Sequence, residues 1–511
     1  MNSVFRYSVY IFLFLFSYNT GKVSSQNYSC IKTDASYYFY DSTSQAILAG
    51  RIDSVAVAGN GTQYFGMRQI RPTDYGCFIP DGASWMGEYV SESPNGIFKF
   101  VVYPFSPGDS ADVFTINSKG LPGETWHFYN YHTINHYVEA KVTQISLATF
   151  FGISDSVKTI SLQRKNASGQ NVSDPINGQK ILLSKNYGLI RLPKFDDFNY
   201  NLAFYDLCGK TNPVTGITNV TFDRVFDFQP GDEIHIKFRY ASYNYSSYVY
   251  EGAIIQRFIE KIPHAGIDTL GYKVIECSYS KQGYTPVSYT YFNDTVDKVF
   301  VRNDYPDLEF EPNESFILNN SAPPQLTSNI MGLQEVDSMQ FSGIPWKMTE
   351  ANGILWDFQN QQCWQHATVD GCFPPNYYYN GLGGPYFHCW DLFSMNFEYR
   401  FIKYYKKGNL TWGTPLDCQT ILHTSTPEDK KLSKILISPN PVVNSANITI
   451  SETMQLPVNV QINSSSGIAV LSLDIKNYNQ VVDLSILPAG IYLARFLFKD
   501  GSVSFEKFIR Q

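Results

Sequence analysis

The chain has 511 residues, with 39 Lys and Arg against 46 Asp and Glu, a net charge of −7, and 43% hydrophobic, 16% aromatic and 17% charged residues. So few charges among so many rings exclude a disordered polymer or a coiled coil for the bulk of the chain, and the acidic balance lacks the basic footprint that a nucleic acid partner would need. At about 150 residues per domain, the length allows roughly three to four domains.

Residues 1–25 are predicted to be a secretory signal peptide. Arg6 supplies the early positive charge, Val9 to Tyr18 is an apolar run, and Val23-Ser24-Ser25 places small residues at a cleavage site. The run is about half of the ~20 residues a membrane-spanning helix needs, and no later stretch reaches that length, so no transmembrane anchor is expected. Cys30 follows Asn27-Tyr28-Ser29 without the aliphatic residue that an acylated cysteine requires three places upstream, so a lipoprotein is rejected. Without residues 1–25, which hold two basic residues and no acidic one, the exported chain is acidic.

Residues 26–303 read as all-β, an antiparallel sandwich or meander. Val138, Ala140 and Val142 alternate with Glu139, Lys141 and Thr143, and Ile234, Ile236, Phe238 and Tyr240 alternate with His235, Lys237 and Arg239. Period two with one polar face means antiparallel strands. Asn60-Gly61, Asp81-Gly82, Asn95-Gly96, Asn177-Gly178 and two Pro-Gly-Asp turns punctuate the region at hairpin intervals. Ile254, Ile255, Phe258, Ile259 and Ile262 fit either a helical face or a buried strand.

Eight cysteines, Cys30, Cys77, Cys208, Cys277, Cys363, Cys372, Cys389 and Cys418, form no C-x-x-C pair. In an oxidising exterior they predict up to four disulfides. Near neighbours are the expected partners: Cys30 with Cys77, Cys208 with Cys277, Cys363 with Cys372, and Cys389 with Cys418.

Three sets of residues suggest chemistry. His127, His132 and His136, with Glu124 and Glu139, have a spacing that would suit zinc on a helix, but the segment reads as strand, turn, strand, which favours solvated strand-end histidines. Gly108-Asp109-Ser110 and Asp232-Glu233-Ile234-His235 mimic the serine and histidine blocks of SGNH hydrolases. Both follow Pro-Gly in hairpin turns, not the strand-to-helix turn that exposes a nucleophile. Exposed Tyr runs, Tyr243, Tyr245, Tyr248 and Tyr250 or Tyr377-Tyr378-Tyr379, could stack on sugar rings, although core packing and sheet faces use the same residues.

Residues 304–329 carry Pro306, Pro312, Pro323, Pro324 and five acids before Phe316, and predict a linker. Residues 330–423 hold Trp346, Trp356, Trp364, Trp390, Trp412 and four cysteines, which suits a compact cross-linked module. Cys363, His366, Cys372, His388 and Cys389 could in principle hold zinc there, but an oxidising compartment favours disulfides.

Residues 424–433 (TSTPEDKKLS) predict an exposed linker. Beyond it, residues 434–511 hold six Phe and Tyr, no Trp and no Cys. Seven or so short strands there predict a small immunoglobulin-like β-sandwich. Ser438-Pro439-Asn440-Pro441, Asn447-Ile448-Thr449-Ile450, Ile462 to Gly467, Leu487-Pro488-Ala489-Gly490-Ile491-Tyr492 and Lys507-Phe508-Ile509-Arg510 follow in order. This ordered set resembles the C-terminal (type A) sorting domain of type IX secretion cargo in Bacteroidota, except that Lys507 and Arg510 stand where a lysine run is usual. Gly381 to Tyr386, Tyr405 to Gly408 and Trp412 to Leu416 are similar to stretches of uncharacterised exported Bacteroidota proteins, a likeness that carries no activity.

The resemblance implies export across both membranes, recognition of residues 434–511 by the type IX machinery, and release or attachment at the outer surface. The expected role is binding or adhesion toward a glycan or another surface, with no cofactor and no assigned catalytic or metal residue. The alternatives are an extracellular hydrolase of polysaccharide or protein, and a structural envelope component.

Overall fold

A computed structural model describes residues 27–511 apart from 60, 74–75, 104–109, 196–197, 199–201, 243–247, 264–267, 284–286, 319–323, 334–342, 350–352, 358–362, 367–373, 392–395, 423–434, 451–454, 466–467 and 500–502. The expected signal peptide and the 424–433 linker lie outside the described residues. The all-β class holds: among the described residues the α-helices are Phe222–Val225 and Cys418–Leu422, one turn each.

The first core lies between two sheets. Ile52–Ala58, Gly61–Gly66, Tyr89–Glu92, Ile97–Val102 and Asp112–Asn117 form a five-stranded sheet. Facing it are Thr125–Asn130, His136–Phe150, Ile153–Asn166, Lys180–Ser184, Gly188–Pro193 and Phe204–Lys210, each paired antiparallel with the next. Alternate residues point inward, so Phe98, Phe100, Phe114 and Ile116 meet Phe128, Val138, Val142, Ile160 and Leu162 in one buried cluster. Each such side chain contributes roughly 1.5–3 kcal/mol by leaving water.

Strands Tyr37–Asp41 and Ala46–Gly50 divide their faces between this core and a second. Tyr37, Phe39 and Leu48 belong to the first cluster, while Tyr38, Ile47 and Ala49 belong to the second. Burial on both faces is the reason these strands are apolar nearly throughout, without alternation.

The second core is roofed by long strands. Glu233–Ser242, Tyr248–Ile262, Thr269–Gly283 and Ser288–Val301 form a meander. Residues 254–262 are therefore strand, not helix. The i, i+1 pair Ile254 and Ile255 serves opposite faces, the first against the second core and the second against a small cluster with Cys277 and Ile421.

The expected boundary at 304–329 is crossed by the strand pairing. Gln325–Gly332 pairs with Ala46–Gly50, and Asn396–Lys407 pairs with Glu233–Ser242 along ten positions. The acidic, Pro-rich stretch is packed rather than solvated. Pro306–Glu309 is a 3₁₀ turn with Leu308 buried, Asn329 is buried, and Glu311 accepts hydrogen bonds from Ser36 and Tyr38. Composition pointed to solvent because it does not register acids consumed by partners nearly 300 residues upstream.

The near-neighbour cysteine pairing is also overturned. The disulfides join Cys77 to Cys363 and Cys277 to Cys418, each with Cα atoms 5.9 Å apart. Strand Trp364–His366 pairs with Cys77–Gly82, which brings the first two together, and the Cys418–Leu422 helix packs beside Thr269–Gly283. Cys30 and Cys208 are free, Cys389 is disulfide-bonded, and Cys372 lies outside the described residues.

The C-terminal unit has its own core between a three-stranded sheet (Leu436–Ser438, Ser445–Thr449, Asn479–Asp483) and a four-stranded one (Val458–Ser464, Ala469–Ile475, Gly490–Leu497, Val503–Arg510).

Candidate functional site

In the C-terminal unit the spaced motif residues converge. Pro439 and Pro441 hold Asn440 beside the last strand, where its Nδ2 donates to the Lys507 carbonyl (3.0 Å) and its Oδ1 accepts from the Ile509 amide (2.9 Å). Val442 continues the contact, donating to the Ile509 carbonyl and accepting from the Gln511 amide. Leu487 is buried, and the Tyr492 hydroxyl donates to the Pro488 carbonyl at 2.7 Å. Tyr492 turns back over Gly490 and stacks on Phe508. Arg510 donates from Nε to the Leu484 carbonyl, while Lys507 is exposed. The motif thus builds one edge of the sandwich, with Asn440, Lys507 and Arg510 at its surface.

The three histidines do not form a metal cluster. His127 stacks on Tyr137, His136 accepts from Arg164, and His132 pairs with Asp112. Among the described residues no group of three His, Cys, Asp or Glu could hold a metal. In the Cys/Trp-rich stretch, Cys363 is tied to Cys77 and the His366 ring packs edge-on against Phe78.

The Ser110 and His235 pairing does not form. His235 is buried, with Nε2 2.7 Å from Glu233 and Nδ1 accepting from the Leu416 amide. Burial lowers the pKa of His235 below the usual imidazole value. Burial pushes Glu233 up, but hydrogen bonds from Arg257 and His235 outweigh it and leave the carboxyl below its ordinary range. His235 is a neutral structural link between strands. Ser110 instead faces His132 at 3.4 Å.

Tyr243 and Tyr245 lie outside the described residues, but Tyr248 and Tyr250 belong to a larger aromatic set. Tyr240 pairs with Tyr250 and Phe238 with Gly252, so Phe238, Tyr240, Tyr248 and Tyr250 share one face. Phe238 contacts Tyr250 with ring centroids 5.1 Å apart, and Tyr240 lies 6.2 Å from Tyr248. A Cβ on residue 252 would lie 2.6 Å from the Phe238 ring, so glycine lets that ring lie on the sheet. Gln282 reaches the Tyr248 hydroxyl at 2.9 Å. Further along the same face, Ile234, Ile236 and Phe258 enter the second core. Strands of up to 15 residues, about 50 Å at 3.3 Å per residue, extend past the core they cover, and the overhang carries these rings. Tyr250 remains 39% exposed. By contrast Tyr378 and Tyr379 are buried and belong to that core.

Residues 436–511 match the secretion system C-terminal sorting domain. No curated protein matches the chain. Among solved structures, dimeric latent PorU from Porphyromonas gingivalis is similar at 11% identity over 78% of this chain and 35% of that chain, with a TM-score of 0.14. The chain thus spans about a third of PorU. PorZ, a surface component of the type-IX secretion system of the same organism, is similar at 10% identity over 90% of this chain and 86% of that one, with a TM-score of 0.13. At these scores neither likeness carries an argument about this chain.

Proposed function

We propose that this type IX secretion cargo, delivered outward by the sorting domain at 436–511, binds glycan at the cell exterior through the aromatic overhang of its long strands. Residues 1–25 act as the signal peptide for the first membrane, and the sorting domain engages the type IX machinery for the second. No helix among the described residues is long and apolar enough to cross a membrane. The observation that carries the binding role is the run of Phe238, Tyr240, Tyr248 and Tyr250 on one face beyond the core. These rings lie outside the buried core at the end of a sheet, Phe238, Tyr240 and Tyr248 half-buried and Tyr250 exposed, with exposed Gln282 beside them. The apolar C–H face of a pyranose stacks on such rings, and an amide orients its hydroxyls.

The test is a glycan array probed with the exported chain and with its Tyr250→Ala variant. Loss of one stacking ring should weaken binding about tenfold, or about 1.4 kcal/mol. Equal binding by both proteins, or binding of no glycan at all, overturns the reading.

A further inference from the structure

We propose that Ser110, His132 and Asp112 form a hydrolytic site for short-chain carboxylic esters. The Ser110 Oγ lies 3.4 Å from His132 Nδ1, and His132 Nε2 lies 3.0 Å from Asp112 Oδ1. A nucleophile, a base and a carboxylate that orients the base are therefore in sequence. The Asp112 carboxylate accepts and cannot donate, so Nε2 carries the hydrogen and the Nδ1 lone pair faces the serine hydroxyl. Asp112 is held in turn by the buried Tyr129, whose hydroxyl donates to the same Oδ1 at 2.7 Å. The Asp112 side chain is only 17% exposed, whereas Ser110 and His132 are open to solvent.

The placement follows from the sheet. Asp112 opens the strand Asp112–Asn117, and His132 sits in the turn between Thr125–Asn130 and His136–Phe150. Ser110 and Asp112, two residues apart where the strand begins, reach the two nitrogens of the same imidazole.

The Ser110 oxygen attacks the acyl carbon while its proton passes to Nδ1. The carbonyl re-forms, the C–O bond to the alcohol breaks, and the Nδ1 proton leaves with the alkoxide. Water then attacks the acyl-serine, giving its proton to Nδ1, and that proton returns to Ser110 as the acid departs. Net, an ester and water give an acid and an alcohol. A solvent-open site stabilises an oxyanion weakly, which confines it to esters, whose alkoxide leaves more readily than an amine. The open setting also lacks a wall to hold a long acyl chain, so acetyl is the group it suits. This activity is independent of the aromatic face.

The full chain should be treated with a fluorophosphonate probe, the modified peptide mapped, and hydrolysis of p-nitrophenyl acetate followed in parallel. Labelling at Ser110 is expected, lost in Ser110→Ala and slowed about 10²-fold in His132→Ala, with ester hydrolysis falling alike. All three positions lie at the surface end of a strand or in a turn, and circular dichroism checks that the variants fold. Absence of label at Ser110, equal labelling in His132→Ala, or hydrolysis unchanged by Ser110→Ala each overturns the proposal.

Discussion

Asn440 and Ile509, 69 residues apart, are joined by a hydrogen bond of 2.9 Å from the backbone amide of the last strand to the side-chain carbonyl of the Pro-Asn-Pro turn. The same side chain donates back to the carbonyl of Lys507, two residues earlier. One asparagine thereby replaces two rungs of a strand ladder where prolines on either side have no amide to offer.

Asn440→Ala should therefore destabilise the sorting domain by about 1–2 kcal/mol, the net worth of two hydrogen bonds at a partly wet edge. The urea midpoint of that domain in the full chain reads the change, and an unchanged midpoint refutes the role given to Asn440.

Deleting residues 434–511 should leave the protein between the two membranes, because the sorting domain is the outward signal. Cell fractionation and surface protease accessibility distinguish the cases. Delivery of the truncated chain to the surface would refute the export reading.

Alkylation under denaturing, non-reducing conditions should modify Cys30 and Cys208 and spare Cys77, Cys363, Cys277 and Cys418. In the native chain Cys30 should resist alkylation, since it is buried and burial holds its thiol well above the usual pKa. Each disulfide closes a loop of more than 100 residues, so reducing either one should lower stability by up to about 5 kcal/mol in the chain-entropy picture.

Stability should rise between about pH 7 and 9, above which the thiols of Cys30 and Cys208, held protonated in the fold by desolvation, offset the lysines. Lys347 is fully buried, and desolvation lowers its pKa to about 7 although its Nζ donates to the Leu308 and Phe310 carbonyls. Lys158 is buried likewise, and desolvation takes it to about 8. A folded pKa below the unfolded value means that the unfolded chain binds more protons within this window, so raising pH favours the fold, by at most about 1.4 kcal/mol per pH unit for each lysine. Above pH 10 the sign reverses. Buried tyrosines such as Tyr272, pushed up by desolvation to about 12, stay protonated in the fold while the unfolded chain releases protons. Urea midpoints measured across pH 6 to 11 should pass through a maximum, and Lys347→Met should flatten the rising limb. A midpoint that falls steadily from pH 7 to 9 refutes this account.

The β-class and the C-terminal unit were legible because both are local signals. Alternation in Val138 to Val142 and in Ile234 to Tyr240 reports a strand whatever it pairs with. Leu487 and Tyr492 lie in a core formed by residues 435–508, and Asn440 ties its edge to the last strand. The cysteine partners and the interleaving of residues 233–242 with 396–407 were not legible, since they depend on contacts spanning 141 to 286 positions. Of the candidate chemistry, Ser110 and His132 are each visible in the sequence but belong to different motifs, and only the adjoining strand ends bring them to one carboxylate.

By itself, then, the order of residues determined that the chain is built of antiparallel strands and that it ends in a sorting domain. Tertiary structure decided which faces are covered. Period two says that Phe238 and Tyr240 share a face with Ile234 and Ile236, but burial depends on what lies opposite. Leu308, Met331 and Tyr386, brought in from far along the chain, join the isoleucines in the second core, while the rings beyond them stay outside it, half-buried at Phe238, Tyr240 and Tyr248 and exposed at Tyr250.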